Sequence, residues 1–197
     1  MSDYTSTAAT TLAVTVMDAK AHLNVSSTED DTLISSQIKA ATLLLEQKTS
    51  RCFVTQTRVL KADSFSDCRY VHGQRVYPVR SPLKSVSSIS YLDSGGATTV
   101  MPSSDYVVST GDQPGYIAPS YNASWPDVYQ QPNAVTITYV AGHSTVSTGV
   151  PENVKQAVRM LVGHWYRNRE GVITGMSKEI EMGVDALLES EMRERYG

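Results

Sequence analysis

Between Asp31 and about Ser50, apolar residues recur at Ile34, Ile38, Ala41 and Leu45, in steps of four, three and four, with Leu33 and Leu44 beside them. That period places one apolar stripe along an α-helix and predicts that the stripe packs against another helix. A shorter helix is expected first, over Val16 to Leu23, opened by Thr15 and Asp18 as a capping pair. The polar turn between the two offers Thr28 or Asp30 as the next cap. After Arg51 the pattern changes: β-branched and aromatic residues alternate with polar ones, and Gly or Pro punctuates the chain. Strands are expected over Phe53 to Ala62, Tyr70 to Tyr77, Val86 to Leu92, Ala97 to Met101, Tyr106 to Ser109 and Ala134 to Val140. Residues 111–133, rich in Pro, Gly and aromatics, read as a long ordered loop with one short strand at Tyr116 to Ala118. Loops of that length inside a domain are usually functional or interfacial. Helical spacing resumes at Pro151, which suits a first turn, with Glu152 favourably placed at the positive end of the helix dipole.

The order is helices, a β-rich middle, then a helix and a tail. It predicts an α+β fold in which a small helical bundle is built from the N- and C-terminal parts of the chain and a β-rich module is inserted between them. The expected boundaries are a flexible N-terminus over 1–14, the bundle from 15–52 and 150–170, the module over 53–149, and a C-terminal segment over 171–197. That segment carries Gly171, Gly175 and Gly183 and only a short apolar patch, Val184 to Leu188, so it is expected to be poorly ordered alone and to order against a partner.

Composition narrows the function classes. The formal charge of -3 and pI near 5.8 argue against a protein that grips nucleic acid by neutralising phosphates. Hydrophobic content of 41% over 197 residues supports a packed core without disulfide or metal staples. Cys52 and Cys68 make no disulfide framework, and a reduced, cytosolic assembly environment is expected. The run LAVTVM near the start is too short for an export signal or a spanning helix, and no membrane partner is expected.

Candidate chemistry is sparse. Asp93-Ser94-Gly95-Gly96 looks like the surroundings of a nucleophilic serine, yet it lies between two β-like runs, where such residues make a hairpin turn. His22, His72, His143 and His164 are scattered without metal-ligand spacing, and no phosphate-cradling glycine motif occurs. No metal, cofactor or catalytic residue is therefore expected. The densest stretch is GHWYRNREGV, residues 163–172. At 100 degrees per residue, Val154, Ala157, Val158, Leu161 and Trp165 share one helix face with His164 at its margin, and Glu152, Lys155, Arg159, Tyr166, Arg167 and Glu170 lie opposite. The mixed sign of that face suits solvent or a protein partner. Gly163 costs roughly 1 kcal/mol relative to Ala in a helix and predicts close approach of another backbone, with the helix over 31–50 as neighbour. Tyr116, Tyr121, Trp125 and Tyr129 in the long loop are either an interface surface or pins that hold the loop to its own module.

Ordered segments along most of the chain resemble one family. They are D-A-K-A-H-L-N-V, E-D-D-x-L-I and A-A-T-x-L-L-E; T-S-R-C-F-V-T-Q-T; R-S-P-L-K-S-V-S-S-I-S-Y-L-D; P-G-Y-I-A-P with a later S-W-P; Q-P-N-A-V-T-I-T-Y-V-A-G; V-P-E-N-V-K-Q-A-V-R-M-L-V-G-H-W-Y-R-N-R-E; and G-V-D-A-L-L. Together they are similar to the head-tail connector, or adaptor, proteins of long-tailed bacteriophages and gene transfer agents. The resemblance implies a non-enzymatic ring of about twelve copies beneath the portal protein. Such a ring prolongs the DNA channel, lets DNA pass without sequence-specific binding, and docks the next neck protein, a stopper or tail terminator. It would sit in the virion neck after assembly in the host cytoplasm. Within that frame Arg159, Tyr166, Arg167 and Arg169 join the loop aromatics as interface candidates, and Val184, Leu187, Leu188, Met192 and Tyr196 are expected to contact the portal. The tail after Leu188 is the least typical stretch. Two other readings predict different things: a hydrolase using Ser94 or His164 needs a deep pocket there, and a carbohydrate- or host-surface-binding module would use the loop aromatics at the tail tip.

Overall fold

A computed structural model describes residues 1–68, 71–72, 74–168 and 178–192. The chain divides into two units, each assembled from stretches far apart in sequence.

The first unit, Met1–Ala8 with Thr55–Gly142, is a pair of antiparallel sheets. Its strands are β1 (Ser2–Thr7), β2 (Gln56–Ala62), β3 (Val71–His72), β4 (Arg75–Val76), β5 (Leu83–Leu92), β6 (Thr98–Val100), β7 (Tyr106–Ser109), β8 (Tyr116–Pro119) and β9 (Val135–Ala141). One sheet runs β1-β2-β9-β5-β6 and the other β3-β4-β8-β7. Side chains alternate across the pleat, so the register decides which residues meet. Leu60 faces Ile137, which faces Ile89, and this apolar row across three strands is buried. The row on one side is polar, with Lys61, Thr136 and Ser90 aligned, and the row on the other side mixes buried Val59 with Thr138 and Ser88. In the small sheet, buried Val76 pairs with buried Ile117.

The N-terminus corrects the expectation of a flexible segment over 1–14, because Ser2–Thr7 pairs with β2 along its length. The cause is polar. Arg58 donates from Nε to Asp3 Oδ2 at 2.9 Å and from Nη1 to Thr5 Oγ1 at 2.8 Å, and Tyr139 donates its hydroxyl to Asp3 Oδ1 at 2.8 Å. Asp3 and Arg58 are more than nine-tenths buried, so their charges stabilise only as a pair.

The second unit comprises Ala9–Val54 and the described residues from His143 onward. It holds α1 (Val16–Leu23), α2 (Asp31–Thr49), α3 (Glu152–Arg167) and α4 (Lys178–Met192). Thr15 caps α1 by accepting the Asp18 amide at 3.1 Å. Asp30 stands at the start of α2 without a side-chain cap bond, and its Oδ2 instead accepts the Tyr166 hydroxyl at 2.5 Å. The α2 stripe of Ile34, Ile38, Ala41 and Leu45 is fully buried together with Val154, Ala157, Val158 and Leu161 of α3. Phe53 and Val14 complete the same core.

The segment expected to be poorly ordered alone forms α4 over Lys178–Met192. Val184 and Leu188, four residues apart on one face, are buried in the core of their own unit. Polar ties hold the same helix. Asn153 donates its amide to the Leu187 carbonyl at 3.0 Å, Arg51 pairs with Glu191 at 3.0 Å, and Lys48 pairs with Asp185.

Candidate functional site

The loop between β7 and β9 shows how its residue types are used. Trp125 lies flat on Phe65, centroids 4.5 Å apart and planes 7° from parallel, and its Nε1 donates to the Gln74 carbonyl at 2.8 Å. Tyr116 packs against Tyr77 at 5.7 Å, with the Arg75 guanidinium 4.4 Å over its ring. The hydroxyl partner Tyr77 and the nearby Tyr116 raise the already high pKa of Arg75, which keeps its charge. These two aromatics pin the loop to its own unit. Tyr121 and Tyr129 do not: Tyr121 is 94% exposed, and Tyr129, whose amide donates to the Leu92 carbonyl at 3.0 Å, keeps about half of its side chain in solvent.

Phe65 and Trp125 line a groove of about 810 Å³ together with Asp63, Asp67, Asp127 and Gln74. Nothing in the sequence reading singled it out. A signal exists in hindsight, because both rings occur as aromatic-x-Asp, in Phe65-Ser66-Asp67 and Trp125-Pro126-Asp127. Beside the groove, burial and the Asp67 charge push the Cys68 thiol up to about 12, so it stays protonated and unreactive at neutral pH.

Ser94 sits at the exposed tip of the β5–β6 hairpin, where Asp93 Oδ1 accepts the amides of Gly95 and Ala97 at 2.9 and 3.0 Å. That placement removes the Ser94 hydrolase reading. His164 is half-buried, its Nδ1 3.2 Å from the Asn168 amide nitrogen. It borders a shallow cavity of about 300 Å³ with His22, Met160 and Arg167, and that lining contains no serine, threonine or cysteine to act as nucleophile. Among the described residues, no group of three or more His, Cys, Asp or Glu could hold a metal ion, and no helix is long and apolar enough to cross a membrane.

On α3 the structure separates residues that the helical wheel grouped. Lys155 is buried and pairs with Glu152 at 2.5 Å, so it does not belong to the open face. Tyr166 is committed through its hydroxyl to Asp30. Arg167 is exposed, Arg159 is half-buried with Nη1 3.5 Å from Gln156, and Trp165 packs against the core. Gly163 meets α1 and not α2: a Cβ there would lie 3.5 Å from the His22 ring and 3.9 Å from Leu23, which is ordinary contact. A close backbone approach therefore does not explain this glycine. In α4, Val184 and Leu188 are spent on the core, while Leu187 and Met192 are half-buried against it. Arg169 and Tyr196 lie outside the described residues.

These features define an α+β protein whose distinctive surfaces are exposed aromatics, a groove and helix faces of mixed charge, the equipment of an assembly component. The chain belongs to the head completion protein family, whose model matches residues 12–177. Membership gives it a structural role in completing a viral head. Three solved structures share the fold at 21% identity. A chain in the neck of an empty gene transfer agent particle computed with C6 symmetry aligns over 97% of this chain and 95% of that one, with a TM-score of 0.78. One in the virion of a native gene transfer agent particle aligns over 96% and 94%, with a TM-score of 0.76. One in the neck of a native particle computed with C12 symmetry aligns over 97% and 94%, with a TM-score of 0.76. A search of curated proteins finds no match to the chain.

Proposed function

We propose that the chain is a head-tail connector of a tailed bacteriophage or related particle. About twelve copies close into a ring under the portal protein, prolong the DNA channel and dock a stopper or tail terminator, with no catalytic step. The observation that carries this reading is the family match, joined to a fold shared over almost the whole chain with proteins of gene transfer agent necks. The C12 symmetry applied to one of those necks suits a ring of that size. Charge supports it too: a protomer of formal charge -3, repeated around a channel, repels phosphates and lets a duplex slide without sequence-specific binding. Closing a ring takes two different surfaces on each protomer. Tyr121 and Tyr129 on the sheet unit and Arg159 and Arg167 on the helical unit are open to such use. With Val184 and Leu188 buried, contact with the portal falls to Leu187, Met192 and the residues beyond, including Tyr196.

The test is a reconstruction of the neck with the portal present. A closed ring of this chain at the portal vertex is the expected result. Its absence from the vertex overturns the proposal, and its presence at the tail tip favours the host-surface reading.

A further inference from the structure

The groove on the sheet unit is walled by the stacked rings of Phe65 and Trp125, and its rim carries Asp63, Asp67 and Asp127. Asp63 spends one oxygen on the Asn133 amide at 2.8 Å, and Asp67 spends one on the Ser64 hydroxyl at 2.7 Å. Asp127 is exposed. Among the described residues, no lysine or arginine lines the groove. Three carboxylates of one sign converge there on an aromatic wall, and the paired aromatic-x-Asp segments bring two of them, Asp67 and Asp127. Each ring anchors its strand of chain, and the carboxylate two residues on is carried to the same opening.

The geometry points to this groove as the docking site for an extended, arginine-bearing segment of a neighbouring neck protein. The charge is complementary, and a guanidinium is the cation that fits best. It stacks on an aromatic face while its planar donors bind carboxylates two at a time. Lysine offers a point charge without the stacking plane. A sugar is the other ligand for aromatic walls with carboxylates, but a neutral sugar gains nothing from three like charges. The inference rests on the connector reading for the identity of the partner.

The experiment uses the full chain labelled with nitrogen-15. Its two tryptophans give two indole resonances, of which the one lost in Trp125→Phe belongs to Trp125, with Trp165→Phe as the cross-check. The probes are the capped hexapeptide Gly-Pro-Arg-Pro-Arg-Gly, the same peptide with Gln at both Arg positions, and maltohexaose. The arginine peptide is expected to shift the Trp125 indole saturably and to leave Trp165 unmoved. Binding should weaken at least tenfold in Asp67→Asn/Asp127→Asn, whose unchanged spectrum elsewhere shows the fold intact, and should weaken as salt rises. Equal binding of the Gln peptide, a response to maltohexaose alone, no response to any probe, or undiminished binding by the double variant overturns the inference. The two readings fail separately. A chain found in the neck whose groove ignores the arginine peptide sinks the groove alone, and a chain missing from the portal vertex sinks the connector.

Discussion

The two units close over remote pieces of chain by opposite means. In the helical unit the last helix, α4, is held chiefly by apolar burial, with Val184 and Leu188 set among Ile34, Leu45, Val158 and Leu161. In the sheet unit the first strand, β1, exposes most of its side chains and is held by a buried ion pair and hydroxyls, Asp3 with Arg58, Thr5 and Tyr139. Apolar closure tolerates approximate geometry, because its energy follows buried area. Polar closure in the interior is specific, since each member left without its partner bears a desolvation cost. Segments near the two ends of one chain are thus fixed by different forces, β1 by a buried polar set and α4 by a short apolar face.

The contrast can be broken from either side. Leu188→Ala is expected to cost roughly 3–4 kcal/mol, within the range for a buried leucine that leaves a cavity. Hydrogen exchange should then show lost protection in α4 while β1 amides keep theirs, and equal loss in both would mean that the units do not close independently. Asp3→Ala takes the carboxylate away from a buried guanidinium and should cost about 3 kcal/mol. The loss should fall on β1 and β2, and a melting temperature unchanged from wild type would show that the strand is held by its backbone ladder alone. The smallest effect tests the helical packing itself. Gly163→Ala meets only ordinary contacts, so it should stabilise α3 by up to about 1 kcal/mol, and destabilisation would mean that α1 is packed more tightly than its distances to Gly163 indicate.

The same contrast explains what could be read in the sequence. The start of α1 and the stripe of α2 were legible because a capping pair marks the first and a period of 3.6 the second, and α1 spans Val16–Leu23 as expected. Strand β7 was legible because β-branched residues mark it locally, but within the strand expected over Tyr70 to Tyr77 the described residues form two short antiparallel pieces, Val71–His72 and Arg75–Val76. β1 was invisible because its partner Arg58 lies far along the chain and no apolar alternation marks it. α4 was hidden by Gly183 and by an apolar face of few residues, which gains its stability only against the rest of the bundle. Of the site residues, the loop aromatics were identified as a group, but their division into pins and open surface was not. Phe65, the partner that fixes Trp125, comes from a different loop.

The interlacing of the two units also bears on how the chain is made. Residues 9–54 leave the ribosome before any of the helices that cover them, and the sheet unit has all its strands once Ala141 has emerged. At that stage the stripe of Ile34, Ile38, Ala41 and Leu45 still waits for α3, as an uncovered apolar surface on a partly synthesised chain. The sheet unit can thus mature first, and the helical unit is the stretch that a nascent-chain chaperone would have most reason to hold.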